Sequence, residues 1–340
     1  MSKMKSSAKE NMLQVSSGVA NAVFITVGIG YLFEILGTLL GVEILVQIGS
    51  VTKSLLAPAL GAGIAVNMKA NTLTIFSAMA SAAIGGAAIQ LINGSLVISG
   101  GEPIGALLAA TIATFVGKKV SGKTPLDMMA IPVLALLAGG IAGAVLAQIT
   151  TPLLTMISAT ISAAVSGNPI IGSSVLGITF GLLLMSPASS AALAVAIALD
   201  PLSNGAMLIG TTAQFFAFSL LSARENDLGG YIAQGACTPK VQLPNIIKNP
   251  KILIGPTIAS AICAPIATVF FGFETIPAMG GMGFAALVAP LYVFTNETLY
   301  TFAIYLLCGA VLPVIITYGI NKVLYSKNQI KIGDMALTIS

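Results

Sequence analysis

The sequence predicts an all-α polytopic membrane protein with about ten transmembrane helices, re-entrant hairpins and hints of an internal repeat. Three observations predict it. The 340 residues are 56% hydrophobic and only 8% charged, with a mean hydropathy of +0.99, whereas soluble domains carry about 25% charge. No Asp, Glu, Lys or Arg occurs between Asp127 and Asp200, nor between Lys69 and Glu102, Asp200 and Arg224, Lys251 and Glu274, or Glu297 and Lys322. The chain also holds 36 Gly and 16 Pro. Membrane helices tolerate both because neighbours satisfy the freed backbone groups.

The expected spans are 16–41, 51–67, 72–93, 103–117, 129–149, 170–186, 187–200, 205–222, 252–273 and 298–322. Lys3, Lys5 and Lys9 precede the first of these in the manner of a signal peptide. That apolar run is too long for one, contains Glu34 and ends in no A-x-A site, so it reads as a retained helix. Segments 152–166 and 278–294 are short or rich in Gly and Pro, and read as re-entrant hairpins that need burial in protein or a cavity wall. Spans 51–67, 103–117 and 187–200 are short enough for half-helices. GxxxG spacing at Gly37/Gly41, Gly139/Gly143 and Gly177/Gly181 permits close helix approach.

Lys and Arg set the orientation. With both termini cytoplasmic, Lys69, the cluster Lys118, Lys119 and Lys123, the segment from Arg224 to Lys251, and Lys322, Lys327 and Lys331 all fall inside, and only Lys53 falls outside. The organisation expected is a cytoplasmic segment 1–15, one transmembrane domain 16–325 and a cytoplasmic tail 326–340. Ile104-Gly105 and Ile209-Gly210 open similar strings, as do Leu60-Gly61 and Leu176-Gly177. These matches outline repeat halves of about 51–166 and 170–294, and transporters place substrate sites between such halves.

Candidate solute ligands are polar groups stranded in apolar or broken segments. Residues 224–251 are too polar to span and too apolar for a linker. They carry Gln234, Thr238, Gln242 and Asn245, which donate and accept hydrogen bonds without fixed charge; the same residues are also suited to capping helix ends. Glu274 precedes a Gly-rich apolar stretch, where a carboxylate would meet a polar solute or a coupling proton. Ser186 and Ser189 lie in the break Met185-Ser-Pro-Ala-Ser-Ser190, and Asn67 occupies the matching break in the first half. Glu34 reads as a snorkelling acid or a transport group. The chain has no histidine and no catalytic or phosphate-loop motif. Its three cysteines, Cys237, Cys263 and Cys308, form no CxxC pair. No catalytic residue, metal site, cofactor, disulfide or nucleic-acid partner is expected.

The strings QGACTPKVQLPNIIKNPK, IASAICAPIATVFF and GGMGFAALVAP resemble the EIIC membrane permeases of the phosphotransferase system, in particular the branch of PfoR-type regulatory membrane proteins. The resemblance covers the whole chain and is most specific from MSPASS to LVAP. It implies a homodimeric bacterial inner-membrane protein that moves a sugar while partner proteins phosphorylate it. Family members bind sugar hydroxyls through a Gly-x-x-Glu carboxylate, and Gly272-Phe273-Glu274 is one residue short of that spacing. No phosphocarrier domain fits within the chain, so phosphorylation would come from separate proteins. The function expected is a non-enzymatic permease for a small polar, sugar-like solute, working by alternating access. The alternatives are an ion-coupled carrier or channel for another solute, or a membrane sensor that regulates gene expression.

Overall fold

The structure is a computed structural model that describes residues 2–92, 95–186 and 189–337. The chain folds as two compact units, Met1–Ile157 and Ser158–Ser340. Among the described residues, six helices are long and apolar enough to cross a membrane, and a bent pair makes a seventh. Shorter apolar helices account for several other expected segments.

In the first unit, α1 (Ser2–Val23) passes through a π-helical turn at Phe24–Ile29 into α2 (Gly30–Leu40). Glu10–Leu40 is therefore one apolar rod of 31 residues. Helix structure begins at Ser2, well inside the segment 1–15 expected to precede the membrane. Gly41, at φ 67°, ends α2 in the left-handed conformation that favours glycine. Next, α3 (Glu43–Ser54) and α4 (Leu56–Asn67) meet at a 62° bend. Pro58 has no N–H for the Ser54 carbonyl, which weakens the junction. This is the half-helix geometry expected around 51–67. The Glu34 carboxylate pairs with the Lys53 ammonium, and that ammonium also lies 4.1 Å from the centre of the Tyr31 ring.

The expected span 72–93 is corrected. Helix α5 (Thr72–Gly85) stops at Gly85-Gly86, and the chain continues into β1 (Ile89–Ile92), which pairs antiparallel with β2 (Ser95–Ile98). The physical cause is readable: β-branched residues flank Asn93-Gly94, the pair most favoured between hairpin strands. Helix α6 (Pro103–Val120) follows, N-capped by Glu102, whose carboxylate accepts from the N–H groups of Ile104 and Gly105 at 2.7 and 2.6 Å.

Helix α7 (Asp127–Gly167) runs 41 residues without a break. It absorbs both the expected span 129–149 and the segment 152–166, which is corrected from a separate re-entrant hairpin to the continuation of one helix. Pro132 and Pro152 lie inside it, as prolines can when neighbours satisfy the freed carbonyls. At 1.5 Å per residue the helix is about 60 Å long, roughly twice a hydrocarbon core. Ala65, Ala78, Ala113 and Ala135 form the core where α4 to α7 converge. Gly139 and Gly143 seat α7 directly on Ala109 and Ala113 of α6.

In the second unit, α8 (Pro169–Met185), α10 (Pro201–Leu221) and α13 (Ile254–Pro265) pack on one another, and α17 (Leu312–Ser326) lies against α13. Gly177 and Gly210 bring α8 and α10 into backbone contact. Between α8 and α10 sits α9 (Ser190–Ile197), whose 8 residues reach about 12 Å and cannot cross a bilayer. The expected span 187–200 is therefore a broken segment, and its Pro187 and Ala188 lie outside the described residues. Residues 271–296 are broken too, as expected of a re-entrant stretch. They form α14 (Pro277–Gly280), a 3-10 turn at Ala285–Leu287 and α15 (Val288–Asn296), with Ala286 and Leu287 at φ 48° and 60°. Then α16 (Leu299–Leu306) leads through a π-turn into α17. The polar stretch after α10 folds into α11 (Leu228–Ile232), π and 3-10 turns, and α12 (Leu243–Lys248).

Candidate functional site

Among the candidate spans of the described residues, α10 is the most buried, with 83% of its apolar stretch inside the protein, against 28% for Asp127–Leu146. A helix so enclosed would ordinarily be purely apolar, yet Ser203, Asn204, Thr211, Thr212, Gln214 and Ser219 are all buried on it. Some of these groups are satisfied locally. The Thr211 hydroxyl donates to the Met207 carbonyl at 2.8 Å, one turn back. The Asn204 side-chain N–H₂ donates to the carbonyls of Leu199 and Asp200 at 2.7 and 3.1 Å. The Gln214 N–H₂ donates to the Ser260 hydroxyl at 3.2 Å.

The carbonyl oxygens of Asn204 and Gln214 have no hydrogen-bond partner. A buried polar group without a partner costs about 1–3 kcal/mol. Asn204 and Gln214 are therefore candidate acceptors for a solute hydroxyl or a water, as is Asn321 of α17. The buried Thr275 hydroxyl, at the foot of α10, also lacks a partner.

The two broken segments meet beside Asn204, whereas Gln214 lies further along α10 against Gly181 of α8 and Ser260 of α13. The Ser190 hydroxyl, in the first turn of α9, donates to the Gly281 carbonyl at 2.7 Å. Gly281 lies so close to the Ser190 carbonyl that no Cβ fits, and Gly280 lies directly against the Asn204 carbonyl oxygen. Gly283, at φ 59°, packs on the Phe215 ring. From α16 the fully buried Tyr305 places its hydroxyl 3.1 Å from that of Thr212 and donates to the Gly283 carbonyl at 3.4 Å. Phe273 stacks on the Tyr305 ring at 5.9 Å. The seam thus brings together buried aromatic rings, hydroxyls and the unpartnered Asn204 acceptor.

Carboxylates stand at the start of α10. The Thr275 N–H donates to the Pro201 carbonyl at 3.1 Å, which places exposed Glu274 beside the helix foot. Asp200 caps α10 by accepting from the Ser203 N–H and hydroxyl at 3.0 and 2.6 Å. Burial raises the Asp200 pKa, but hydrogen bonds from Ser162 and Ser203 outweigh that effect and hold it below the usual carboxylate value.

The other expected ligands lie elsewhere. Ser186 donates to the Leu183 carbonyl at 2.8 Å at the end of α8. Ser189 caps α9, accepting from the Ala192 N–H at 3.1 Å. Thr238 accepts from the Lys240 N–H at 3.3 Å, and burial lowers the pKa of the Lys240 ammonium. Asn67, in the first unit, donates to the Gly63 carbonyl at 2.8 Å.

Gln234, Gln242 and Asn245 form one buried network. Gln242 donates to the Gln234 carbonyl oxygen at 2.8 Å, and Asn245 donates to that of Gln242 at 2.8 Å. The same two amides reach the main-chain carbonyls of Met335 and Ala336. Among the described residues, no group of three His, Cys, Asp or Glu could hold a metal ion. Sequence reasoning misses Asn204, Thr212, Gln214 and Tyr305. The signal for the first three is the run of amides and hydroxyls in PLSNGAMLIGTTAQ, inside a span with no charge.

Comparison with known families decides the class. The family model for "Phosphotransferase system, EIIC" matches residues 13–337, nearly the whole chain. The chain belongs to the EIIC family. No curated protein matches it. EIIC is the membrane-permease component of its system and not the catalytic one. This EIIC chain is accordingly a multi-pass membrane transporter for a polar solute.

Proposed function

We propose that this EIIC chain is a permease for a small, sugar-like solute, bound where α9 and the 271–287 segment meet α10. The observation that carries this reading is the unpartnered Asn204 acceptor facing the Gly280–Gly283 turn. Solute hydroxyls would donate to Asn204, the stacked Phe273 and Tyr305 rings would support the seam from behind, and Glu274 would accept hydroxyls at the mouth. Alternating access would come from the two broken segments, whose short helices can rock more readily than a continuous span. The N- and C-termini would be cytoplasmic, the assembly a homodimer, and any phosphorylation the work of separate partner proteins.

The test is uptake of labelled sugars by protein reconstituted in liposomes, with and without phosphocarrier proteins. Binding is followed alongside by ligand-induced thermal shift. A sugar that binds the wild type should lose most of its shift with Asn204→Leu and with Glu274→Gln, while both variants remain monodisperse. Shifts equal to wild type in both variants would overturn this site. Uptake of an ion in place of any sugar would favour the carrier or channel reading.

A further inference from the structure

The described residues after α17, 327–337, form no helix or strand, yet hydrogen bonds tie down their backbone. Five side chains of the 222–249 segment grip them, almost entirely by the backbone. The Glu225 carboxylate accepts from the N–H groups of Gly333 and Met335 at 3.0 and 2.9 Å. Asn226 donates to the Met335 carbonyl at 3.0 Å and accepts from the Leu337 N–H at 2.7 Å. It thereby engages the main chain on both sides of Ala336, as a neighbouring parallel strand would.

Gln242 and Asn245 donate to the carbonyls of Met335 and Ala336 at 2.8 and 2.9 Å. Asn249 donates to the Gln329 carbonyl at 3.1 Å and to the Asp334 carboxylate at 2.8 Å. Two apolar side chains anchor the peptide: Ile330 and Met335, each 1% exposed, enter a cluster with Met185, Phe218, Ile246, Ile252 and Leu324. Main-chain hydrogen bonds plus side-chain pockets are the general physics of peptide recognition.

The position of this grip matters. Met185 is the last residue of α8 and Phe218 lies in the last turn of α10. From there the buried polar line of α10 continues outward: Ser219 donates to the Tyr231 carbonyl at 3.3 Å, Ser222 donates to Gln234 at 3.1 Å, and Gln234 accepts from Gln242. Gln242 in turn holds the tail.

We propose that Glu225, Asn226, Gln242, Asn245 and Asn249 form a peptide-binding site whose occupant is this chain's own segment 329–337, and that the occupied site closes this end of the polar line. The closure half rests on the permease function proposed above and adds that solute leaves the seam along α10; the peptide-site half does not.

The test uses the full-length chain with a protease site inserted after Lys327. The site is cut after folding and the released tail is washed away. A fluorescent peptide of residues 329–340 should bind the washed protein and not the uncut one, by anisotropy in detergent. Asn226→Ala should weaken that binding about tenfold, as expected for two lost hydrogen bonds. In liposomes, sugar uptake should rise about fivefold or more on cutting and washing, and fall again when the peptide is resupplied.

No peptide binding by washed protein that remains monodisperse would overturn the peptide site, as would binding indifferent to Asn226→Ala. Peptide binding with uptake unchanged by washing would overturn the closure alone. Absence of sugar uptake in every form, with and without phosphocarriers, would count against the permease reading, and the anisotropy arm would still decide the peptide site.

Discussion

Thr275→Val separates a group kept for packing from a group kept for a ligand. The Thr275 hydroxyl is buried, the residue is 5% exposed, and the oxygen has no hydrogen-bond partner. Valine fills the same volume and removes the oxygen. In the absence of solute the change breaks no hydrogen bond and deletes an unsatisfied group, so the protein should gain about 1–3 kcal/mol. For a chain of this size that is a rise of a few degrees in melting temperature. With solute present, the variant lacks one hydrogen bond of about 0.5–1.5 kcal/mol, a two- to tenfold weaker affinity. The assay is thermal unfolding in detergent across a solute titration, with uptake in liposomes as a second measure. A lower melting temperature without solute would refute the claim that the hydroxyl is unsatisfied. An unchanged affinity would refute its place in the solute site.

Gly281→Ala should cost more than an ordinary helix substitution, because a Cβ there collides with the backbone of Ser190; transport should fall at least tenfold, and accelerated cysteine labelling near α9 would show the seam opening. Glu34→Gln should destabilise the first unit by up to about 1 kcal/mol, since it removes the carboxylate that pairs with the partly buried Lys53 ammonium; a matching Lys53→Met change should recover much of the loss. Asp200 has a folded-state pKa below its ordinary value of 3.8. Its contribution to stability is therefore fully present above that value and is lost as pH falls through the lower folded pKa. Melting temperature should be level from pH 8 to 5 and drop below about pH 4, and Asp200→Asn should flatten the drop.

The membrane character of the chain was legible in the sequence because uncharged runs leave no soluble alternative. Its breaks were legible where Gly, Pro and Ser cluster: the expected interruptions near Ser189 and Gly281 meet each other across the Ser190 hydrogen bond. Continuity was harder to read. No charge between Asp127 and Asp200 marks a helix end, and Pro152 reads as a boundary in the sequence, yet α7 runs through it to Gly167, where Asn168 and Pro169 start α8. The matched pairs Leu60-Gly61 and Leu176-Gly177 meet different partners, Gly61 on Ala78 of α5 and Gly177 on Gly210 of α10. The helices that carry the matched strings do touch in both halves, α4 with α6 and α8 with α10, but similar strings do not fix which residue each glycine packs on.

The site was only partly legible, for a related reason. Most of the expected ligands lie in the polar loop, where amides are conspicuous. The loop amides are held by one another and by the tail, while Asn204 and Gln214, with unpartnered carbonyl oxygens, lie inside α10. A lone Asn or Gln within an apolar run looks like an imperfection in sequence, and only packing shows whether its oxygen has a donor.

The burial of α10 also bears on how the protein is made. Its mean hydropathy, 1.2, is the lowest of the six candidate spans, against 2.3 for Asp127–Leu146 and Leu299–Ser326. Each amide or hydroxyl it carries weakens its partition into lipid. Alone at the translocon, α10 would be a poor membrane segment; packed between α8 and α13, it has almost no lipid to face. Its entry into the bilayer is therefore coupled to that of its neighbours, and a mutation that weakens the Gly177–Gly210 contact should surface first as misinserted chains, before any transport defect can be measured.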